Sequence, residues 1–280
     1  MNLGNIYLKK NRITDAIYEY RAAMEIIPND NKIHNNLGNA YARRGWYNEA
    51  ISEYTRSIEL NSNFIDAYKN LALAYCESEK FGRAQSTLKK AISLEPKNSS
   101  LYNQLGDAYN QMGHYEMAIF QYKKALKLEP GLAEAHYGLG GCYNELGLYD
   151  DEIRAYKSAL GIKPDMSAAL RSLGNAYFRR KKFETAIEQY RKAAQVEPED
   201  SSSYYNIGAA YSNMGRYKEA VVEYEKAIEI EPEMGDAHNG LAFALYKLKE
   251  YESALNHIKK AEQLGIDVSK DLLESIKKKV

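Results

Sequence analysis

Apolar residues recur along this chain at intervals of three, four and seven, the spacing that places side chains on one face of an α-helix. This helical pattern is itself repeated every 34 residues over nearly the whole sequence. Residues 102–130 show it most completely, at positions Tyr102, Leu105, Gly106, Tyr109, Ala118, Tyr122, Ala125 and Pro130. A period of this length predicts a repeat architecture.

Every proline of the chain occupies one position of the 34-residue frame. The six are Pro28, Pro96, Pro130, Pro164, Pro198 and Pro232. Ser62 holds that position in the unit without a proline. Because proline cannot continue a helix interior, this position marks the end of each unit.

Each unit contains two predicted helices joined by a turn. The first helix has a small residue at one fixed position, at Gly38, Ala72, Gly106, Gly140, Gly174, Gly208 and Ala242. A glycine inside a helix costs about 1 kcal/mol relative to alanine, so we expect a neighbouring helix to approach closely there. The turn holds a glycine in four units, at Gly45, Gly113, Gly147 and Gly215, and an aromatic residue follows it.

This pattern resembles the tetratricopeptide repeat, a 34-residue helix–turn–helix unit. The resemblance implies an all-α fold, a right-handed superhelical α-solenoid of antiparallel helix pairs. Eight repeats are expected near residues 1–30, 31–64, 65–98, 99–132, 133–166, 167–200, 201–234 and 235–268. The first repeat lacks its opening four residues. We therefore expect either that the chain was truncated from a longer repeat array or that its first residue was wrongly assigned.

Residues 269–280 are predicted to form a C-terminal capping helix. Its apolar face carries Leu272, Leu273, Ile276 and Val280. A terminal repeat needs a polar outer cover, which the charged residues of this segment provide.

Charge and cysteine content restrict the function further. The charges of the 38 basic and 38 acidic residues cancel, so the chain has no excess of positive charge with which to bind nucleic acid. No apolar run is long enough for membrane insertion. Cys76 and Cys142 lie two units apart, so we expect no disulfide framework, which suits a reducing, cytoplasmic location.

Motifs for catalysis are missing from the sequence. It contains no phosphate-binding Gly-Lys-Ser/Thr loop, HExxH, CxxC or GxSxG. The glycine-rich run at residues 138–141 lies inside a predicted helix, and the acidic run at residues 150–152 suits a helix N-terminus better than a metal. His34, His136 and His238 share a position with tyrosines, so we interpret them as packing residues. We therefore predict no enzymatic activity, cofactor or metal.

The resemblance implies that a peptide or helical segment of another protein binds in a concave groove lined by the first helices. The family's groove positions fall here on Asn36, Asn39, Arg43, Asn70, Gln104, Asp107, Tyr137, Arg171, Asn175, Phe178, Arg179, Tyr205, Asn206 and Phe243. Beside Tyr137, Gly138 and Gly141 are expected to leave a hollow.

Two features of this groove suggest how a partner is held. One position carries an amide at Asn2, Asn36, Asn70, Gln104 and Asn206. An amide both donates and accepts, and this ladder resembles the asparagine track of O-linked GlcNAc transferases, which makes a substrate-targeting domain of a larger enzyme an alternative. A second alternative is that these amides merely solvate a helix face. Arg171 and Arg179 lie near aromatic residues that either anchor a partner or pack between helices.

Two further functions are compatible with parts of the sequence. Arg171, Asn175 and Asn206 match three places of the five-residue carboxylate clamp of some co-chaperones, but Asp236 and Gly240 stand where basic residues are required. The second function is self-association into a structural scaffold. It would use the uncapped N-terminal repeat, which carries the apolar residues Leu3, Ile6 and Tyr7.

Overall fold

In a computed structural model, which describes residues 2–280 and side chains from residue 3 onward, the chain forms 17 α-helices, and these residues contain no strand. The helices are α1 (Asn2–Lys9), α2 (Ile13–Ile26), α3 (Asn31–Arg43), α4 (Tyr47–Leu60), α5 (Ile65–Glu77), α6 (Phe81–Leu94), α7 (Ser99–Gln111), α8 (Tyr115–Leu128), α9 (Ala133–Glu145), α10 (Tyr149–Ile162), α11 (Ser167–Arg179), α12 (Phe183–Val196), α13 (Ser201–Asn213), α14 (Tyr217–Ile230), α15 (Gly235–Lys247), α16 (Tyr251–Gln263) and α17 (Lys270–Lys277). The predicted all-α fold of paired helices is confirmed.

The chain divides into two compact units, Met1–Leu148 and Tyr149–Val280. We call them unit 1, with α1–α9, and unit 2, with α10–α17. Within each unit every helix packs against the next. Four pairs of consecutive odd-numbered helices also contact each other: α3 with α5, α5 with α7, α7 with α9, and α13 with α15. No pair of even-numbered helices in the described chain contacts to the same extent. The odd-numbered helices therefore form the inner row of each stack.

A left-handed residue closes the first helix of every repeat. Gly45, Gly113, Gly147 and Gly215 have φ between 71° and 78°. The same position has positive φ at Asn11, Glu79, Lys181 and Lys249, although these residues have a Cβ. In this conformation the chain reverses direction while the last carbonyl groups of the helix still accept hydrogen bonds. The N–H of Trp46, for example, donates to the Tyr41 carbonyl at 2.9 Å.

The glycines in the inner helices make room for a tyrosine of the paired helix. A Cβ on Gly38 would lie 2.6 Å from Tyr54 Cε1, and Tyr54 is buried. The same contact recurs in the pairs Gly4–Tyr20, Gly106–Tyr122, Gly174–Tyr190 and Gly208–Tyr224. Close approach of the two helices thus explains why glycine is used despite its cost in helix propensity.

The histidines at the shared position serve the packing of their repeats. The Nε2 atoms of His34, His136 and His238 lie 3.0, 3.3 and 3.1 Å from the carbonyl oxygen six residues earlier. Tyr68 and Tyr102 donate their hydroxyl groups to the equivalent carbonyl. The His238 ring also stacks on His257, and burial, followed by the charge of His238, lowers the pKa of His257.

The C-terminal helix α17 begins after Ser269, whose hydroxyl oxygen accepts from the Leu272 N–H at 3.4 Å. Ile276 is fully buried, while Leu272 and Leu273 are half-buried. The helix ends at Lys277, earlier than its apolar pattern predicted, and Val280 is exposed.

Candidate functional site

All fourteen predicted partner-binding residues lie on odd-numbered helices, the inner row of each unit. Unit 1 carries Asn36, Asn39 and Arg43 on α3, Asn70 on α5, Gln104 and Asp107 on α7, and Tyr137 on α9. Unit 2 carries Arg171, Asn175, Phe178 and Arg179 on α11, Tyr205 and Asn206 on α13, and Phe243 on α15. Their hydrogen-bond partners decide which of them are open to a ligand.

In unit 1 the structure brings Asn39, Arg43 and Asn70 together around one pocket of about 500 Å³, which we call the α3–α5 pocket. Its full lining is Leu8, Asn39, Ala42, Arg43, Tyr47, Tyr54, Asn70, Leu73, Ala74 and Glu77. A pocket of this volume is in the range of ligand-binding clefts.

The two asparagines of the α3–α5 pocket offer complementary groups. Asn39 Oδ1 accepts the Tyr54 hydroxyl at 2.8 Å, and Asn70 Nδ2 donates to Asn35 Oδ1 at 2.9 Å. Within the described part of the chain, these bonds leave Asn39 Nδ2 as a donor and Asn70 Oδ1 as an acceptor. A backbone peptide group needs one of each.

Charged and apolar side chains complete the α3–α5 pocket. Arg43 is exposed and donates through Nη1 to the Leu8 carbonyl at 2.9 Å. Glu77 is exposed and accepts from the Tyr47 hydroxyl at 3.4 Å. Leu73 is 54% exposed, more than the other exposed large apolar side chains of the inner row, Leu3, Ile6 and Phe243. The pocket can therefore hold an apolar side chain between a cation and an anion.

A second, smaller pocket of about 50 Å³ lies farther along α5 and α7. We call it the Asp107 pocket, and its lining is Ala72, Leu73, Cys76, Leu88, Gln104, Asp107 and Gln111. Leu73 belongs to both pockets, so the two adjoin.

Asp107 is held by two hydrogen bonds. Its Oδ1 accepts from the Tyr122 hydroxyl at 2.7 Å, and its Oδ2 accepts from Asn103 Nδ2 at 3.2 Å. Burial raises the pKa of Asp107 to about 6, against the lowering effect of the Tyr122 hydrogen bond and with a smaller raising effect from Glu134.

The two cysteine thiols of unit 1 lie near this carboxylate. Burial, with the Asp107 charge as the next cause, raises the pKa of Cys76 to about 11 and that of Cys142 to about 12. Both are free thiols. A thiol of such high pKa is a poor nucleophile at neutral pH.

Near Tyr137, itself half-buried, only one of the two glycines leaves open space. Nothing lies within 4 Å of a Cβ built on Gly141, whereas one on Gly138 would be 2.4 Å from Tyr122 Cζ. The expected hollow is therefore absent at Gly138, because the Tyr122 ring fills it.

In unit 2 both predicted groove arginines are neutralised by ion pairs. Arg171 Nη1 lies 2.6 Å from Asp200 Oδ2, and Arg179 Nη2 lies 2.6 Å from Glu152 Oε1. Asn175 is exposed, but its Oδ1 accepts the Tyr190 hydroxyl at 2.7 Å. Neither guanidinium is therefore a free positive charge, since each already has its anion.

The predicted aromatic anchors of unit 2 mostly contact other rings. Phe178 lies 5.3 Å from Phe183, and Tyr205 lies 5.8 Å from Tyr224, measured between ring centroids. Burial raises the pKa of Tyr205. Phe243 also contacts a ring, with 6.1 Å between its centroid and that of Tyr217, but it is 37% exposed and the Lys247 ammonium lies 5.2 Å from its ring centre. Packing between helices accounts for Phe178 and Tyr205.

Only some of the amide side chains that recur at one groove position keep free hydrogen-bonding groups. Asn36 and Asn206 are half-buried and form no hydrogen bond with other described residues, whereas Asn70 uses its donor on Asn35. Gln104 Oε1 is buried without a partner among residues 3–280.

Two informative residues were missed by the sequence reasoning. Leu73 occupies the position that holds Asn39, Asp107 and Asn175 in three other repeats and Phe243 in a fourth, and an apolar residue at a predicted groove position was the available signal. Glu152 is 1% exposed, at a position held by alanine in the seven other repeats. Its Oε2 atom has no hydrogen-bond partner in the described structure. The acidic run at residues 150–152 was interpreted only as a favourable helix start.

Neither a metal centre nor a membrane anchor is found among the residues described. No group of three or more His, Cys, Asp or Glu side chains is arranged there to hold a metal ion. None of the helices formed by residues 2–280 combines the length and apolar character needed to cross a bilayer.

Several solved structures share this architecture. The crystal structure of MamA protein superposes with a TM-score of 0.56 and 28% identity over 60% of this chain and 92% of that one. A tetratricopeptide repeat protein from Parabacteroides merdae superposes with a TM-score of 0.66 and 19% identity, covering 87% of this chain and 96% of its own. The APC/C hetero-tetramer Cut9-Hcn1 gives a TM-score of 0.67 and 16% identity over 96% of this chain and 52% of that one. The last two show the fold alone.

Sequence comparison gives the family directly. Models described as TPR repeat match residues 4–45, 38–79, 106–147 and 174–215. Others described as tetratricopeptide repeat match residues 65–98, 87–120, 133–166 and 201–234. No curated protein matches the chain significantly. Since the matched windows cover well over half of the chain, the protein belongs to the tetratricopeptide repeat family.

Proposed function

We propose that this protein is a non-enzymatic scaffold that binds an extended or helical segment of another protein in the α3–α5 pocket. The observation that carries the proposal is the free donor of Asn39 and the free acceptor of Asn70 beside the exposed Leu73 side chain. Free amide groups pair with a peptide backbone whatever its sequence. Leu73 then provides apolar contact area, and such area dominates the energy of interfaces.

The charges at the pocket favour a particular kind of segment. Arg43 and Glu77 are both exposed, so a segment with an acidic residue toward Arg43 and a basic one toward Glu77 is complementary. Such pairing acts mainly on specificity and association rate.

The proposal predicts that a charge at Leu73 weakens binding of peptides. A displayed library of random 16-residue peptides is selected on the wild-type protein, and the Kd of the selected peptides is measured by fluorescence anisotropy. We expect Leu73→Asp to raise Kd by at least about tenfold, because a carboxylate replaces the apolar contact.

Leu128→Asp is the matched control. Leu128 is a 42% exposed leucine on the even-numbered helix α8, and it lines neither pocket. Its substitution is expected to change Kd less than twofold. Equal affinity of wild-type and Leu73→Asp proteins, or equal losses in both variants, would refute binding at this pocket.

We propose self-association through α1 as a second candidate, supported by the exposed side chains Leu3 and Ile6 on that helix. A second copy covering them buries apolar area. Light scattering at high concentration is expected to show a dimer or larger assembly, and Ile6→Glu is expected to return it to monomer. A wild-type monomer at all concentrations excludes this candidate.

We also propose a cytoplasmic location. The free thiols of Cys76 and Cys142 support it, because thiols persist in a reducing compartment.

A further inference from the structure

The Asp107 pocket contains a carboxylate without a cation. Across the described side chains, no lysine, arginine or histidine forms an ion pair with Asp107. Its two hydrogen bonds come from neutral groups, the Tyr122 hydroxyl and the Asn103 amide. Asp107 is half-buried, and a carboxylate partly withdrawn from water is costly unless an opposite charge accompanies it.

Two more acceptors near Asp107 also lack a donor. Gln104 Oε1 lines the same pocket as Asp107, and Asn103 Oδ1 belongs to the amide that donates to Asp107. Both oxygen atoms are buried and have no hydrogen-bond partner among the described residues. Buried polar atoms are nearly always partnered in folded proteins. This part of unit 1 is therefore rich in acceptors and short of donors.

The size and walls of the pocket select the kind of donor. Its volume of about 50 Å³ is small, but it is large enough for a compact polar head such as an ammonium group. Ala72, Leu73 and Leu88 supply apolar walls. A lysine side chain has this combination, with an apolar stem and a compact head carrying three donors.

We infer that the Asp107 pocket binds the side-chain ammonium of a lysine belonging to the segment held in the adjoining α3–α5 pocket. This inference rests on the proposed function, because the lysine reaches the Asp107 pocket past Leu73, the residue common to both. The ammonium donates to Asp107 and to Gln104 Oε1, and its stem covers Leu73. Such a pocket has the opposite charge preference to the carboxylate clamp of some co-chaperones, because it binds a cation through a carboxylate.

The groups around Asp107 define how pH acts on this site. Tyr122 faces it from α8 and the Glu134 charge on α9 raises its pKa, while the Asp107 charge in turn raises the pKa of Cys76 on α5 and of Cys142 on α9. The pKa values of the two thiols, about 11 and about 12, keep them neutral near pH 6, and burial raises the pKa of Tyr122 as well. Protonation of Asp107 removes the charge that holds the ammonium, so we expect binding to weaken as pH falls through about 6.

A direct test uses the lysine analogue Nα-acetyl-lysine N-methylamide as the probe. The carboxyl ¹³C signal of Asp107 is followed by NMR from pH 4.5 to 8, with the probe, without it, and with the acetyl-norleucine analogue. At ten times its Kd, the lysine probe is expected to lower the pKa of Asp107 from about 6 to about 5, since binding competes with the proton. The norleucine analogue is expected to have no effect. An unchanged titration with the lysine probe overturns the inference.

A second test measures preference among peptides. Two pools of 16-residue peptides, identical except for lysine or norleucine at one central position, are compared on wild-type and Asp107→Asn proteins. Asparagine already accepts the equivalent tyrosine hydroxyl at Asn39 and Asn175, so this variant is expected to fold. The wild-type protein is expected to prefer the lysine pool by about tenfold, and Asp107→Asn is expected to lose that preference.

The charge-matched control is Glu116→Gln, an exposed carboxylate on α8 outside both pockets, which should retain the preference. Binding of both pools with equal affinity overturns the lysine pocket but leaves the peptide-binding function standing. Failure of both pools to bind, together with a normal response of Asp107 to the lysine analogue, overturns the proposed function instead.

Discussion

An Arg179→Met variant is expected to lose about 3 kcal/mol of unfolding free energy around α10 and α11, because it leaves the Glu152 carboxylate buried without its cation. The Arg179 guanidinium lies 2.6 Å from Glu152 Oε1, and the other oxygen of Glu152 already lacks a partner. Only Glu152 is buried in this pair, since the Arg179 side chain is 40% exposed. Removing the arginine is nevertheless costly, because the buried carboxylate that remains stays desolvated.

Glu152→Ala is expected to have the opposite outcome. Alanine fills this position in the seven other repeats, where it is fully buried, so the substitution removes the carboxylate that must be desolvated. We expect an unchanged or higher unfolding free energy, and the double variant Glu152→Ala/Arg179→Met should recover most of the loss. This non-additivity identifies the pair as the cause.

Urea unfolding followed by circular dichroism and amide hydrogen exchange in α10–α12 measures both effects. Exchange is needed because a repeat array does not always unfold in one step. Arg180→Met is the control, since its ion pair with Asp150 is exposed on both sides, and it should cost less than about 1 kcal/mol. Equal losses from Arg179→Met and Arg180→Met would show that burial of Glu152 is tolerated without Arg179.

The second large effect is expected in unit 1, where Gly106→Ala should destabilise by about 2 kcal/mol. A Cβ on Gly106 would lie 2.6 Å from Tyr122 Cε1, and Tyr122 is fully buried. The ring has little room to move, because Gly138 of α9 also lies against it, close enough that a Cβ there would be 2.4 Å from Tyr122 Cζ, and its hydroxyl is bonded to Asp107.

Gly141→Ala provides the comparison, in the neighbouring inner helix of the same unit. A Cβ there meets nothing within 4 Å, so the gain in helix propensity should stabilise by up to about 1 kcal/mol. Thermal and urea unfolding of the two variants measure the difference. Two alanine variants that shift stability in the same direction would contradict the contact between Gly106 and Tyr122 as the reason for glycine.

Much of the fold follows from local rules. Proline punctuation, helical spacing and the turn position predicted where helices begin and end, since each depends on residues within one unit. Even the left-handed turn position is periodic, although Asn11, Glu79, Lys181 and Lys249 occupy it without being glycine. The close approach at the inner-helix glycines was also predictable, because helix propensity alone disfavours them.

The candidate site was predictable only to the level of helix faces. Periodicity placed Asn39, Arg43 and Asn70 on the inner row, but not their hydrogen bonds. Asn39 faces a tyrosine 15 residues away, and Arg179 pairs with a glutamate 27 residues away in the preceding repeat. Arg43, Arg171 and Arg179 are all arginines at predicted groove positions, and the sequence does not distinguish them. Of these three, however, only Arg43 has no carboxylate partner among the described residues.

The amino-acid sequence by itself therefore determined the tetratricopeptide repeats, their helices and the row of residues from which a groove is built. Tertiary structure decided which groups of that row remain available, because hydrogen bonds and ion pairs between repeats satisfy some and leave others open. The contacts of Tyr122 illustrate what only the tertiary structure decides. The Tyr122 ring packs against Gly106 and Gly138, and its hydroxyl group donates to Asp107. This hydrogen bond holds the carboxylate in the pocket that Leu73 also lines, the site that we propose for a partner's ammonium group.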